Sequence, residues 1–282
     1  MRPDTVEQTD IGALWALRDL PPFPWIATKV LQMFSGQNEN IEIKRLIELI
    51  RADAAVSSEI LRRANSVLYG LPSRIASLRH AVVILGMDHV KTLAMTTGMN
   101  AYLRSALRIA VLRRCWRHSV CCALISEVTA PALGFPPDQG YTAGLLHDVG
   151  RLALLVKYPQ PYADLLSVVM ENNFSLLASE RDLFDVDHCQ AGEWLAKEWN
   201  FPENLADVAA HHHEALDASG LSGVVGLSCR LADSLGFSAV DPVHPERPEQ
   251  IIEELPRAAL QKVQPSLNAL RERLLGKVNA LE

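Results

Sequence analysis

The stretch NIEIKRLIELIRADAAVSSEILRRA, Asn40 to Ala64, carries the reading of the fold. Ile43, Leu46, Ile47 and Ile50 recur at i, i+3, i+4 and i+7, the spacing of one buried helix face. Asn40 stands where a side-chain oxygen can take a free backbone N–H at a helix start. Asp53 can do the same for a second helix whose apolar face is Val56, Ile60, Leu61 and Ala64. Tyr69-Gly70-Leu71-Pro72 breaks that pattern, and Leu78, Ala81, Val82 and Leu85 form a third stripe ending at Gly86. Asp88 can open a fourth helix. The same period continues along the chain, and no useful length alternates at period two, so the fold class is all-α. Pro131 to Pro137 and Asp241 to Pro248 read as loops or boundaries. Beyond them Ile251, Leu255, Leu260, Val263, Leu267 and Leu270 suggest terminal helices.

The chain has 282 residues, 49% of them apolar and 21% charged, which is enough apolar material for a sizeable core and excludes a disordered chain. Its net charge of −6 gives no overall attraction toward nucleic acid or an anionic membrane, so neither is expected as a partner. No stretch reaches the roughly 18–20 apolar residues of a spanning helix, and the expected location is cytoplasmic. Cys115, Cys121, Cys122, Cys189 and Cys229 are odd in number and lack a C-x-x-C pair. They read as reduced, buried filler, with no sequence support for a thiolate zinc site.

The most pointed chemical string is Gly144-Leu145-Leu146-His147-Asp148-Val149-Gly150-Arg151, an imidazole beside a carboxylate at the end of an apolar helix. His118 lies before it; His188, His212, His213 and Asp233 follow. Nitrogen and oxygen donors of this kind suit a divalent first-row metal, iron, manganese or zinc, when several helices converge on it. Each residue also has a plainer reading. His118 fits a hydrogen-bonded core position, Asp187-His188 an N-cap and first turn, and Asp233 a surface carboxylate. His211, His212 and His213 cannot all face one point on a helix. Between His89 and Ser126, Lys91, Arg104, Arg108, Arg113, Arg114 and Arg117 occur with no acidic residue. They make either a solvated basic face or a patch, including Arg114 and Arg117, for an anionic ligand or acidic partner.

Three upstream strings carry a family resemblance: Leu20-Pro21-Pro22-Phe23-Pro24, Ala64-Asn65-Ser66-Val67-Leu68-Tyr69-Gly70, and Ile75-Ala76-Ser77-Leu78-Arg79-His80-Ala81 leading to Leu85-Gly86. Together with the order of histidines and aspartates they resemble the HDOD family of bacterial signalling modules, from about Leu20 to His213. The resemblance implies an HD-like helical domain with an N-terminal helical subdomain. The expected division is 10–105 for the N-terminal subdomain, 106–240 for the HD-like subdomain, and 241–282 for C-terminal helices or a tail. It also implies a regulatory protein partner, with no generally established catalysis.

Carried over from the wider HD phosphohydrolase pattern, His118, His147, Asp148 and Asp233 match metal-ligand positions. His188 and the His212-His213 pair resemble two further histidine positions of the HD-GYP phosphodiesterases that cleave cyclic di-GMP. That likeness stops at Leu221-Ser222, where Tyr-Pro would complete the signature, and Arg151 replaces the usual lysine. The expectation is a signal-transduction module that acts by protein contact and holds a metal or nucleotide ligand. The competing expectation is a metal-dependent phosphohydrolase in which Arg151 steadies substrate phosphate.

Overall fold

The computed structural model describes residues 15–33 except 18, then 39–71, 73–214, 220–240 and 246–255, with isolated positions beyond. Every regular element among the described residues is helical. In the N-terminal part these are α1 (Trp25–Met33), α2 (Glu39–Ala52), α3 (Ala54–Ala64), α4 (Leu78–Leu85) and α5 (Met87–Leu103). There follow α6 (Arg113–Thr129), α7 (Pro137–Leu146), α8 (Val149–Lys157), α9 (Pro159–Asn172), α10 (Leu176–Phe184), α11 (His188–Glu198), α12 (Glu203–His211), α13 (Leu221–Ser234) and α14 (Pro248–Glu253). No described helix is long and apolar enough to cross a membrane.

The punctuation expected from sequence is mostly where the backbone needs it. Asp53 accepts hydrogen bonds from the N–H groups of Ala55 and Val56, and α4 ends at Gly86, whose φ of 82° lies in the region that favours glycine. Two assignments are corrected. Helix α2 begins at Glu39, so Asn40 lies inside its first turn and not at the cap. Gly86 is also the N-cap of α5, which places Asp88 inside the first turn, where its charge faces the helix dipole favourably. The residues 241–245 of the expected second loop, and Val263, Leu267 and Leu270, lie outside the described residues.

Helix α5 packs against α1 and α3, while α6 packs against α7 and α13. Helix α11 lies between α8 and α12. A contact between α5 and α7 joins the two groups, with Thr96 Oγ1 and Tyr141 Oη 2.7 Å apart, and one apolar core runs through both. The Asn65 carboxamide clamps the chain between α3 and α4. Its Nδ2 donates to the carbonyls of Leu61 and Ile75, each at 2.8 Å, and its Oδ1 accepts from the Ile75 N–H at 2.7 Å. Only a side chain with both a donor and an acceptor can close that loop.

Two glycines set how near the site-bearing helices come. A Cβ on Gly144 would stand 2.6 Å from the Cys122 carbonyl oxygen, so α7 lies directly on the α6 backbone. A Cβ on Gly150 would stand 2.2 Å from the His188 carbonyl oxygen and 2.4 Å from the Gly192 nitrogen, so α8 is equally close to α11. These contacts bring His147 toward His118 and Asp148 toward His188.

Candidate metal centre

His118 projects from α6, His147 and Asp148 form the joint between α7 and α8, His188 opens α11, His212 follows the end of α12, and Asp233 lies near the end of α13. His118, His147, Asp148, His188 and His212 are buried. Their rings are in contact: the centroids of His118 and His147 are 5.3 Å apart, and those of His147 and His212 are 4.8 Å apart.

Three of the imidazoles are held the same way. Nδ1 of His118 lies 3.0 Å from the Phe237 carbonyl, that of His147 2.8 Å from Gly144, and that of His212 3.1 Å from Val208. A carbonyl can only accept, so each Nδ1 carries the proton and each Nε2 keeps its lone pair when the ring is neutral. Nε2 of His147 and of His212, and Oδ1 of Asp148, are buried without a hydrogen-bond partner among the described residues, and Asp148 Oδ2 has the ion pair with Arg151. Buried polar atoms are rarely left so, and imidazoles oriented through Nδ1 with Nε2 free are the usual form of metal-binding histidine. The donor set therefore fits a divalent ion, with His147, Asp148 and His212 one close group.

Asp148 is the electrostatic centre. Its Oδ2 lies 2.8 Å from Arg151 Nη1 and 3.4 Å from His147 Nε2, and its Oδ1 lies 3.4 Å from Nε2 of both His188 and His212. Burial alone would raise its pKa, but Arg151, His147, His212 and His188 hold it well below the usual carboxylate range. His188 differs from the other three rings. Its Nδ1 pairs with Glu180 Oε2 at 2.6 Å, and its Nε2 accepts from Arg151 Nη2 at 3.0 Å and lies 3.0 Å from His213 Nε2. Its acceptor nitrogen is already engaged by a cation. Asp187 caps α11 in a full capping box, so the plainer reading of Asp187-His188 holds while His188 also belongs to the pocket.

Asp233 is not a free surface carboxylate: it lies 3.4 Å from His118 Nδ1, the side away from the lone pair. There it places a carboxylate beside the ring that the Phe237 carbonyl holds. Burial, opposed by His118, lifts its pKa to about 6. Of the histidine run, His212 faces inward, His213 packs on His188, and His211 pairs outward with Asp207 at 3.1 Å. Arg114 and Arg117 lie by the segment after α13, Arg114 3.4 Å from the Ser238 carbonyl and Arg117 over the Phe237 ring. Arg151 lines a cavity of about 340 Å³ together with His118, His188, His212, His213 and Asp233.

Two features escaped the sequence reading. Glu180 is fully buried and accepts from the Tyr162 hydroxyl as well as from the His188 backbone N–H at 2.9 Å. The cysteines are free as expected and Cys122 and Cys229 are buried, but these two also form a close cluster with His118 and His147. The spacing held the signal, since Cys122 is four residues after His118 and Cys229 four before Asp233, on the same helix faces.

The HDOD domain profile matches residues 20–215. The chain belongs to the HDOD family. Other HDOD-type structures share the fold. A domain of this family from Geobacter sulfurreducens, 22% identical, superposes with a TM-score of 0.76, covering 94% of each chain. A provisionally named phosphohydrolase from Shewanella amazonensis SB2B, also 22% identical over 94% of each chain, gives 0.65. An uncharacterized protein of Treponema pallidum (strain Nichols) is 25% identical over 201 residues, 69% of this HDOD chain. The chain spans only 38% of that relative's length.

Glu180 gives this HDOD pocket a pH signature. Burial would raise its pKa, but its close pairing with His188 and then the charge of Arg151 pull it below the ordinary 4.5. A depressed acid contributes stability that is fully present above its unfolded value and is lost as pH falls through the folded value. Glu180→Gln is therefore expected to cost about 1.5–3 kcal/mol at neutral pH and to flatten the loss of stability below about pH 4.5. Urea melts of both proteins from neutral to acid pH measure this; parallel curves would refute it.

Proposed function

We propose that this chain is a bacterial signal-transduction module that acts through contact with a regulatory protein, and whose HD-like pocket binds one divalent ion, or a nucleotide, without efficient turnover. One observation carries the second half. Two-ion hydrolysis needs cations about 3.5–4 Å apart that share anionic ligands. Here Arg151 is paired to Asp148 Oδ2 and donates to His188 Nε2, the oxygen and nitrogen that a second ion would use. A fixed guanidinium occupies that electrostatic position, and unlike a lysine it cannot give up its proton to make room. The family's signalling character supports the first half. A provisionally named signal transduction protein from Marinobacter aquaeolei VT8 has the same fold, at 18% identity and a TM-score of 0.70 over 93% of this chain.

A one-ion phosphohydrolase is the second reading, favoured by the cavity over His118, Arg151 and His212, where a phosphate would meet both ion and guanidinium. The test pairs thermal melting with product analysis, using manganese, iron(II) or zinc and either a cyclic dinucleotide or a nucleoside triphosphate. A ligand that binds only the folded form raises the melting temperature. The module reading expects such a shift with no multiple-turnover product. Sustained hydrolysis that disappears in His147→Ala would establish the enzyme instead.

A further inference from the structure

Cys122 Sγ lies 3.6 Å from Cys229 Sγ and 3.4 Å from His118 Nε2, and the ligand atoms of His118, Cys122, His147 and Cys229 all lie within 4.8 Å of one another. A disulfide would need about 2.05 Å between the sulfurs, so both cysteines are thiols. Zinc bonds of about 2.3 Å to sulfur and 2.0–2.1 Å to nitrogen put tetrahedral neighbours about 3.8 Å apart for two sulfurs and about 3.5 Å for sulfur and nitrogen. These two separations are close to the corresponding edges of that tetrahedron, and the other ligand-atom pairs lie within 4.8 Å.

We propose that Cys122, Cys229, His118 and His147 form a tetrahedral thiolate–imidazole site for one zinc-class ion. All four residues are buried, at most 5% exposed. The two imidazoles have Nδ1 committed to carbonyls, and His147 Nε2 is an orphaned lone pair in the middle of the cluster. Charge favours sulfur as well. A dication with two thiolates and two neutral imidazoles is neutral, whereas a dication held by one carboxylate and imidazoles keeps a positive charge, which burial penalises and Arg151 repels.

Loading the ion makes two Zn–S and two Zn–N bonds and releases two protons, one from each thiol; no electron moves. Softness then sets selectivity: thiolates prefer zinc to manganese or magnesium. The inference deepens the metal-binding part of the proposed function by naming its donors, and the signalling part stands without it.

The experiment uses the full chain, freshly reduced, with cobalt(II) as a spectroscopic stand-in for zinc. Expected are about one bound equivalent, a strong near-ultraviolet thiolate-to-cobalt band, and displacement of cobalt by zinc. Losing even an outer partner of a metal ligand costs about 10–100-fold, so Cys122→Ser and Cys229→Ser should each weaken binding at least about 100-fold and abolish the band. Cys121→Ser, at a buried thiol outside the cluster, should keep it. Cobalt bound by the wild type without a thiolate band, and lost in Asp148→Asn, would overturn the sulfur site while leaving a nitrogen–oxygen metal pocket intact. A wild type that binds no cobalt and has five titratable thiols would overturn it without any variant having to fold, and hydrolysis assays would still decide the module reading separately.

Discussion

Asp148→Ala is expected to destabilise the protein by about 3–5 kcal/mol, the range for removing one member of a buried ion pair. The carboxylate is 1% exposed and stands between the Arg151 guanidinium, itself 3% exposed, and the rings of His147, His188 and His212. Without it Arg151 cannot discard its proton, so a cation is left in the core facing three imidazoles. The attraction is not a net gain over apolar packing, because both groups had to leave water. Asp148→Leu with Arg151→Met should therefore be much less damaging than the sum of the two single changes. A double-mutant cycle in urea gives the coupling, expected at the upper end of the ~0.5–3 kcal/mol seen for contacting residues. Additive single effects would mean that the pair does not act as a unit.

Gly150→Ala is the second large effect, although it adds one methyl group and improves helix propensity. On an exposed helix the change would stabilise by up to about 1 kcal/mol. Here the new Cβ would lie 2.2 Å from a carbonyl oxygen and 2.4 Å from a backbone nitrogen, and neither can rotate away like a side chain. Helices α8 and α11 must separate, and Arg151 on α8 moves away from His188 on α11, stretching the 3.0 Å contact. Overpacking typically costs about 1–3 kcal/mol, and rigid backbone on both sides puts this site at or above the top of that range. Thermal melting and metal uptake should fall together in this variant. A stable protein with an unaltered pocket would show that the two helices can slide apart freely.

The residues that were legible in sequence share a property: their signal is local. The stripe Ile43, Leu46, Ile47 and Ile50, the cap at Asp53 and the stop at Gly86 each depend on neighbours within two turns, and the backbone obeys them. Asn40 and Asp88 were misplaced by the same logic, since several polar residues near a helix start can serve as cap and only the course of the chain selects one. The order His118, His147-Asp148, His188, His212-His213 pointed to a pocket, and the structure brings these residues together. Asp233 and Arg151 reach it through different contacts, Asp233 on the Nδ1 side of His118 and Arg151 on Asp148 and His188.

By itself the sequence determined the helical class, the resemblance to HDOD modules and the set of imidazoles and carboxylates available to a site, because periodicity and motif spacing are written along one dimension. Tertiary packing alone decided that Glu180 reaches His188, that Arg151 sits between Asp148 and His188, and that Cys122 meets Cys229 from 107 residues away. The physical reason is that ligand geometry depends on distances of a few ångströms between helices. Those distances are set by how closely backbones approach at Gly144 and Gly150, and no pattern within a single helix encodes them.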